Sequence, residues 1–128
     1  DLEHRSVPTA IPGLENSIIT QISCGYYHSM CIDADHKAWV FGSNAQGQLG
    51  LGKDLFHSVP RKLPLKSVYA LSTGGIHTVM FLINGNIVVF GNNYKAQLSS
   101  ATADNKIIYK PIPLPLTFSS NFNYSKTN

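Results

Sequence analysis

Short apolar runs separated by turn residues cover most of the sequence, and the clearest of them predict a β-hairpin. Residues 78–83 and 86–90 are rich in β-branched and aromatic side chains, and they flank the pair Asn84-Gly85. Asn-Gly is a strong hairpin signal because a type I′ turn needs positive φ at both central residues. Both runs are apolar without alternation near the turn, which indicates a hairpin buried on both faces. Small sheets stacked face to face account for this pattern.

The same arrangement occurs 49 positions earlier, so the chain contains an internal repeat. Residues 17–24 are strand-like, and residues 29–33 and 37–41 form the matching hairpin. Its tip holds Asp35 and His36, which form a type I′ turn less readily than Asn-Gly, so we expect a longer loop there. A period near 50 residues with three to four short strands per unit predicts an all-β fold. The predicted architecture is a partial β-propeller of about two four-stranded antiparallel blades.

A glycine-rich loop, residues 42–52, follows the first hairpin and has a degenerate copy at residues 91–100. Its four glycines indicate backbone conformations that side chains disfavour. Three amide side chains can hydrogen-bond its main chain, namely Asn44, Gln46 and Gln48. Residues 47–54 are similar to a phosphate-binding loop, but Asp54 replaces the Mg²⁺-binding hydroxyl and no helix pattern follows. We therefore interpret the loop as a structural part of the repeat.

The repeat divides the chain into five predicted segments. The first, residues 1–16, is the end of a preceding repeat with a linker, and it includes an edge-like strand at residues 7–11. Next come a first repeat at 17–58, a second and degenerate repeat at 59–106, the start of a third at 107–118, and a disordered tail at 119–128. Two repeats leave strand edges without partners, so we expect a fragment of a longer propeller that can self-associate.

Composition and charge narrow the possible functions. A hydrophobic content of 43% with 13% charged residues predicts a folded chain, without an apolar run of membrane-spanning length or a signal peptide. We expect an intracellular protein, cytoplasmic or nuclear, with Cys24 and Cys31 as buried thiols. The net charge is −3 over residues 1–54 and +6 over residues 55–128. A basic cluster could favour an acidic partner or nucleic acid, but a solvated loop face is the favoured interpretation for Lys53, Arg61, Lys62 and Lys66.

Candidate chemistry is sparse. The five histidines are too dispersed to nominate a metal site, and His28 and His77 occupy equivalent repeat positions, which favours a structural role. Asp33, Asp35 and His36 are explained by a polar hairpin tip rather than by an acid/base or metal cluster. We predict no catalytic residue, no cofactor and no metal.

The motif Gly25-x-x-His28-Ser29, a hairpin that ends at Gly42, and the glycine-rich loop together resemble the repeat of the regulator of chromosome condensation family. The resemblance covers about residues 7–116. It implies a propeller of about seven four-stranded blades that binds proteins on its faces. Structural roles then fall on the positions that match the repeat: Gly25, His28, Gly42, Asn44, Gly47, Gln48, Leu49, Gly50, Gly74, His77, Gly91, Asn93, Gln97 and Leu98.

The resemblance leaves three functions open. The first is a non-catalytic protein-interaction module, for which the candidate contacts are Tyr26, Tyr27 and Ile76, because these positions differ between the two units and tyrosine is favoured at interfaces. The second is part of a guanine-nucleotide exchange factor for a small Ran-like GTPase with chromatin binding, although these units lack the wedge-like insertion to which exchange is attributed. The third is the substrate- or partner-binding domain of a ubiquitin ligase. Fold alone does not choose among them.

Overall fold

Two four-stranded antiparallel sheets make up the computed structural model, which describes residues 4–93 and 107–113. The first sheet contains strands β1 (Ile19–Cys24), β2 (His28–Asp33), β3 (Ala38–Ser43) and β4 (Phe56–Lys62) in that order. The second sheet contains β5 (Val68–Thr73), β6 (His77–Leu82), β7 (Ile87–Asn92) and β8 (Ile107–Pro113), again in sequence order. The predicted all-β class and the two four-stranded units are confirmed.

The two sheets repeat each other down to their irregularities. The register between the first two strands shifts between Ile19 and Gln21 in one sheet and between Val68 and Ala70 in the other. A second shift follows Val40 in β3 and Val89 in β7. All of these positions are related by the offset of 49, so the internal repeat extends to the local bulges.

The core lies between the sheets and takes one face from each. We call the face of the first sheet that points to the second its front face, made by His28, Met30, Ile32, Ala38 and Val40. The opposing face of the second sheet is its back face, made by Thr78, Met80, Val88 and Phe90 together with Leu71 and Thr73. Most of these side chains are fully buried, because the two sheets stack on each other. The predicted burial of the second hairpin on both faces is met in β7 but not in β6, where His77, Val79 and Phe81 are half-buried.

The first hairpin turn is as tight as the second, so the longer loop expected there is wrong. The amide of His36 donates to the Asp33 carbonyl at 3.0 Å, as that of Gly85 does to the Leu82 carbonyl. His36 adopts a positive φ of 61°. The Asp33 carboxylate supports this conformation because it accepts the amides of Asp35 and Lys37 at 2.9 and 3.0 Å.

The Asp33 carboxylate also accepts the indole Nε1–H of Trp39 at 2.9 Å. Burial alone would raise the pKa of this carboxyl, but its hydrogen bonds, with a smaller contribution from the Lys62 charge, hold the pKa below its usual value. The Lys62 ammonium lies 4.9 Å from the centre of the Trp39 ring. The carboxylate therefore stabilises the hairpin, as expected for a polar tip.

The sheets divide the chain at points other than the predicted boundaries. Residues 59–62 belong to β4 of the first sheet, and residues 107–113 form the outer strand of the second sheet rather than the opening strand of a third unit. Both outer strands contain prolines, which an edge strand tolerates because it has an unpaired side. Residues 7–11 do not form a strand. The predicted disordered tail at 119–128 lies outside the described residues.

Candidate protein-interaction surface

The glycine-rich loop is organised by Asn44, which is fully buried. Its Nδ2 donates to the carbonyls of Gly52 and Asp54 at 2.9 and 2.6 Å, and its Oδ1 accepts the amide of Leu49 at 2.9 Å. Gln48 adds a further bond, because its Oε1 accepts the Gln46 amide at 2.8 Å. The polar partners predicted for this loop are therefore present.

The loop also joins the two sheets. The hydroxyl of Thr78, on the back face of the second sheet, donates to the Gln48 carbonyl at 3.0 Å. The Nε2 atom of His28 lies 3.4 Å from the same hydroxyl. The Thr78 hydroxyl has a single proton, which it donates to the Gln48 carbonyl. The Nε2 nitrogen of His28 must therefore be the donor in the second hydrogen bond. Three residues from two units thus form one buried relay, which we call the junction relay.

The other ring nitrogen of His28, Nδ1, is buried and has no hydrogen-bond partner in the described part of the chain. Burial, with the neighbouring His77 as a smaller cause, lowers the pKa of His28 to about 4. The imidazole is therefore neutral at pH 7. The position of the His28 ring also requires a glycine at residue 25, since a side-chain carbon there would overlap the ring.

Gly50 is required by the packing of the loop on the second sheet. Its φ is +69°, and a Cβ there would lie 3.0 Å from the ring of Phe90. Gln46 reaches the same sheet through its Oε1, which accepts from Asn92 Nδ2 at 2.9 Å. The first repeat is thus joined to the second by both backbone and side chains.

The equivalent signature residues of the second unit adopt matching conformations where they are described. Gly74 lies against the His77 ring as Gly25 lies against His28, and Gly42 and Gly91 share a φ near +108°. Asn93 is fully buried like Asn44. Gln97 and Leu98 lie outside the described residues.

The three predicted contact residues lie at the ends of the sheets, in the turns between first and second strands. Tyr26 and Tyr27 are 77% and 74% exposed, and their rings meet edge to face with centroids 6.5 Å apart. The amide of Tyr26 donates to the Gly75 carbonyl at 2.9 Å, and its ring lies over Gly75. Ile76, the residue after Gly75, is half-buried. We call Tyr26, Tyr27 and Ile76 the tyrosine rim.

Sequence reasoning missed Thr78 and Gly75, and it misplaced Cys24. The sequence does contain a signal for Thr78, because Ser29 at the equivalent position of the first repeat also carries a hydroxyl. Cys24 is exposed rather than buried, since it lies on the outer strand β1 of the first sheet, while Cys31 on the inner strand β2 is buried as expected. Among residues 4–93 and 107–113, no group of three metal-ligating side chains is close enough to hold an ion.

Two stacked antiparallel blades joined by a loop define the chain as part of a β-propeller built from tandem repeats. Models of the regulator of chromosome condensation (RCC1) repeat match residues 19–48 in one case, and residues 1–32 and 35–81 in the other. These matches cover more than half of the sequence. The chain belongs to the RCC1 repeat family, which confirms the resemblance identified from its motifs.

Several larger proteins are similar to this chain. It is 35% identical to the probable E3 ubiquitin-protein ligase HERC4 of Homo sapiens over 97 residues, which cover 72% of the chain and 9% of HERC4. It is 33% identical to the ultraviolet-B receptor UVR8 of Arabidopsis thaliana over 101 residues, which cover 77% of the chain and 23% of UVR8. The chain therefore spans less than a quarter of the length of these two curated relatives.

A structural likeness extends the comparison to yeast RCC1 (Prp20). A crystal structure of Prp20 with Kap60 bound matches with a TM-score of 0.73 and 24% identity, over 85% of this chain and 25% of that one. Another structure of Saccharomyces cerevisiae Prp20, studied for binding to Gsp1p and histones, matches with a TM-score of 0.71 and 22% identity, over 87% and 26%. At these identities the likeness shows the fold, which is part of an RCC1-type propeller. Within the described ranges, no helix has the length and apolar character that a membrane crossing needs.

Proposed function

We propose that the chain is a non-catalytic protein-interaction module that binds a protein partner through the tyrosine rim, in the cytoplasm or nucleus. The observation that carries this proposal is the exposure of two adjacent tyrosines, each about three-quarters accessible, on a turn whose backbone is fixed. Large aromatic side chains that remain exposed on a rigid support lose little conformational entropy on binding, and tyrosine is enriched at interface hot spots.

The rigidity of the turn comes from the junction between the sheets. The amide of Tyr26 is bonded to the second unit, and the carbonyl of Tyr27 accepts the Ser43 amide at 2.7 Å. Both tyrosines are therefore held to neighbouring elements by their backbone while their side chains stay free to contact a partner. Ile76 extends the surface into the second unit.

A photo-crosslinking amino acid at position 27 tests the proposal in the protein expressed in its own cells. We expect a discrete adduct with another protein, which the Tyr26→Ala substitution weakens at least threefold. The matched control places the same crosslinker at Ile83, which is 54% exposed. This residue lies in the turn between β6 and β7, at the other end of the strands from the tyrosine rim. Equal adducts from both positions, or none from position 27, would contradict the proposed surface.

Nucleotide exchange on a small GTPase is a second candidate, supported by the fold shared with Prp20, whose binding to Gsp1p has been studied. It requires the protein to accelerate nucleotide release from a GTPase. Release of a fluorescent guanine nucleotide from purified Gsp1p, with and without the tyrosine-rim substitutions, separates exchange activity from simple binding.

A partner-binding role within a ubiquitin ligase is a third candidate, supported by the similarity to HERC4. In that case the tyrosine-rim adduct would be a ubiquitinated protein, and Tyr26→Ala would reduce its ubiquitination.

Chromatin binding through Arg61, Lys62 and Lys66 would instead show as DNA affinity that falls steeply with salt.

A further inference from the structure

A groove lies on the outer side of the junction between the two sheets, and both sheets contribute to its walls. One wall is the glycine-rich loop of the first sheet, a second is the segment that joins β4 to β5, and a third is the outer strand β8. The cavity measures about 390 Å³ and is lined by Gly50, Leu51, Pro64, Leu65 and Pro111. We call it the junction groove. Its size falls within the range of about 300–1,000 Å³ that is typical of ligand sites.

The walls of the junction groove are fixed without a partner. The joining segment is attached at both ends, because the amides of Leu63 and Val68 donate to carbonyls of the first hairpin at 2.9 and 3.0 Å. The loop wall rests on the second sheet where Gly50 meets the Phe90 ring. A preformed site has little conformational entropy to lose when a partner binds, which favours affinity.

The apolar side chains of the junction groove remain accessible. Leu51 and Leu65 pack against the core and are only partly buried, and Pro64 is exposed. The repeat does not require Leu51, since the offset of 49 places Ser100 at the equivalent position. The outer strand contributes Pro111, which lacks the amide that an added strand would need. Binding through side chains is therefore favoured over extension of the sheet.

Basic side chains flank two walls of the junction groove. Lys66 directly follows Leu65, and Lys53 lies two residues after Leu51. Both lysines are exposed, and each begins within about 8 Å of a lining residue, since successive Cα atoms are about 3.8 Å apart. The chain from the loop wall to the end of the joining segment carries four basic side chains and one acidic side chain. A complementary partner carries acidic groups beside apolar ones.

The lining of the junction groove favours a protein partner over a nucleic acid. Single-stranded nucleic acids bind where bases stack on aromatic rings, and duplexes are held largely by polar and basic contacts to phosphates. The five lining residues offer neither an aromatic ring nor a charged group. Leucine and proline walls instead suit aliphatic side chains.

We propose that the junction groove binds a short segment of a partner protein in which leucine, isoleucine or proline side chains are flanked by aspartate and glutamate. The apolar side chains of this segment fill the cavity, and its carboxylates pair with Lys53 and Lys66. The groove lies beside an outer strand, whereas the tyrosine rim lies in the turns between first and second strands. This surface is therefore additional to the rim.

Random dodecapeptides displayed on phage and panned against the 128-residue chain test the chemistry of the partner. We expect the enriched peptides to combine an excess of aspartate and glutamate with aliphatic or proline residues. A synthetic copy of the most enriched peptide, labelled with fluorescein, then gives affinities by fluorescence anisotropy.

Two matched pairs of substitutions locate the binding site. Leu51→Ser introduces the residue of the second unit and is expected to weaken peptide binding about tenfold, because it removes apolar contact. Leu55→Ser, at a 71% exposed position outside the groove, should leave the affinity unchanged. Lys66→Glu is expected to weaken binding about fivefold. Arg5→Glu makes the same charge change outside the groove and should have no effect at physiological salt, which screens distant charges.

Far-ultraviolet circular dichroism establishes that each variant folds. If Leu51→Ser does not fold, Pro64→Ser at an exposed wall position takes its place. Tyr26→Ala should leave the peptide affinity unchanged, and Lys66→Glu should leave the crosslink at position 27 unchanged. Failure of the groove and failure of the tyrosine rim are therefore distinguishable.

Three results would overturn the acidic-peptide site. One is panning that enriches no peptide, or only peptides without an acidic excess. Another is a peptide whose affinity neither Leu51→Ser nor Lys66→Glu changes. The third is a fluorescent DNA duplex that binds as tightly as the peptide and is weakened by Lys66→Glu but not by Leu51→Ser, which would show that the basic side chains serve a nucleic acid.

Discussion

At the residue scale, Asn44 satisfies three main-chain groups of the glycine-rich loop with a single side chain. Asn44→Ala would leave the buried amide of Leu49 and the partly buried carbonyls of Gly52 and Asp54 without this partner. We expect a loss of about 2–4 kcal/mol in the free energy of unfolding, since each buried unsatisfied group costs about 1–3 kcal/mol before relaxation. Urea denaturation measures it, and Ala45→Ser at the exposed neighbouring position is the control. Equal midpoints for the two variants would contradict this role.

His28 gives the junction a pH dependence whose sign follows from its pKa. The unfolded chain binds the proton near pH ~6.5, whereas burial lowers the pKa in the folded chain to about 4. Between these values the unfolded state binds more protons, so stability falls as the pH falls through this window.

We expect the unaltered chain to lose about 1–2 kcal/mol more than His28→Gln between about pH 7 and about pH 5, since one pKa unit corresponds to about 1.4 kcal/mol. The substituted glutamine has no titratable group, so its stability should change only through the remaining residues. Urea midpoints at the two pH values provide the comparison. Parallel changes in both proteins would exclude His28 as the source.

The sequence predicted the structural residues of the loop because glycine and amide patterns report on the backbone directly. It did not predict Thr78, whose importance depends on which element packs against it. Cys24 was predicted to be buried from its cysteine chemistry alone. Its exposure follows from the position of β1 at a sheet edge, which no local pattern encodes.

At the element scale, the loop and the second sheet are held together where Gly50 meets Phe90. Gly50→Ala adds a Cβ 3.0 Å from the ring and keeps a φ of +69°. Gly85→Ala is the matched control, because it has a φ of +89° but no atom within 4 Å of the added carbon. Both variants incur a backbone cost of about 1–2 kcal/mol.

Only Gly50→Ala should also disturb packing, which adds about 1–3 kcal/mol. Thermal unfolding of both variants measures the difference, and equal melting temperatures would show that the Phe90 ring moves aside without cost. Phe90→Leu combined with Gly50→Ala should recover part of the loss.

Strand identities were largely predictable, because the apolar runs, the Asn-Gly turn and the offset of 49 all report on local geometry. The outer strands were assigned to the wrong units. Residues 107–113 contain prolines and follow a polar stretch of sequence, a pattern that favours the opening strand of a new repeat. Their pairing with β7 depends on long-range contacts that form only in the folded sheet.

At the scale of the whole molecule, the junction relay should make the two sheets unfold together. Thr78→Val removes the hydroxyl and leaves the Gln48 carbonyl and the His28 Nε2–H without partners, at a cost of about 2–3 kcal/mol. Trp39, the only tryptophan, lies in the first sheet and reports on that sheet alone. We expect the Trp39 fluorescence transition in urea to shift as much as the circular dichroism transition does.

Ser23→Ala, which removes a half-buried hydroxyl contact to Thr73, serves as a milder comparison within the same junction. A Trp39 transition that stays unchanged in Thr78→Val would mean that the first sheet unfolds independently. The propeller class was predictable from the repeat period. Which residues couple the units was not, since coupling depends on side chains about 50 positions apart.

The two thiols differ in exposure, so that one of them can be labelled selectively. Cys24 is exposed on the outer strand β1, on the face of the first sheet that points away from the second sheet, whereas burial raises the pKa of the Cys31 thiol to about 11. Since thiolates are the reacting species, a maleimide dye at neutral pH should modify Cys24 far faster than Cys31. A single fluorophore could thus be placed on this face without mutagenesis, and the rate of its attachment would report whether the face is covered.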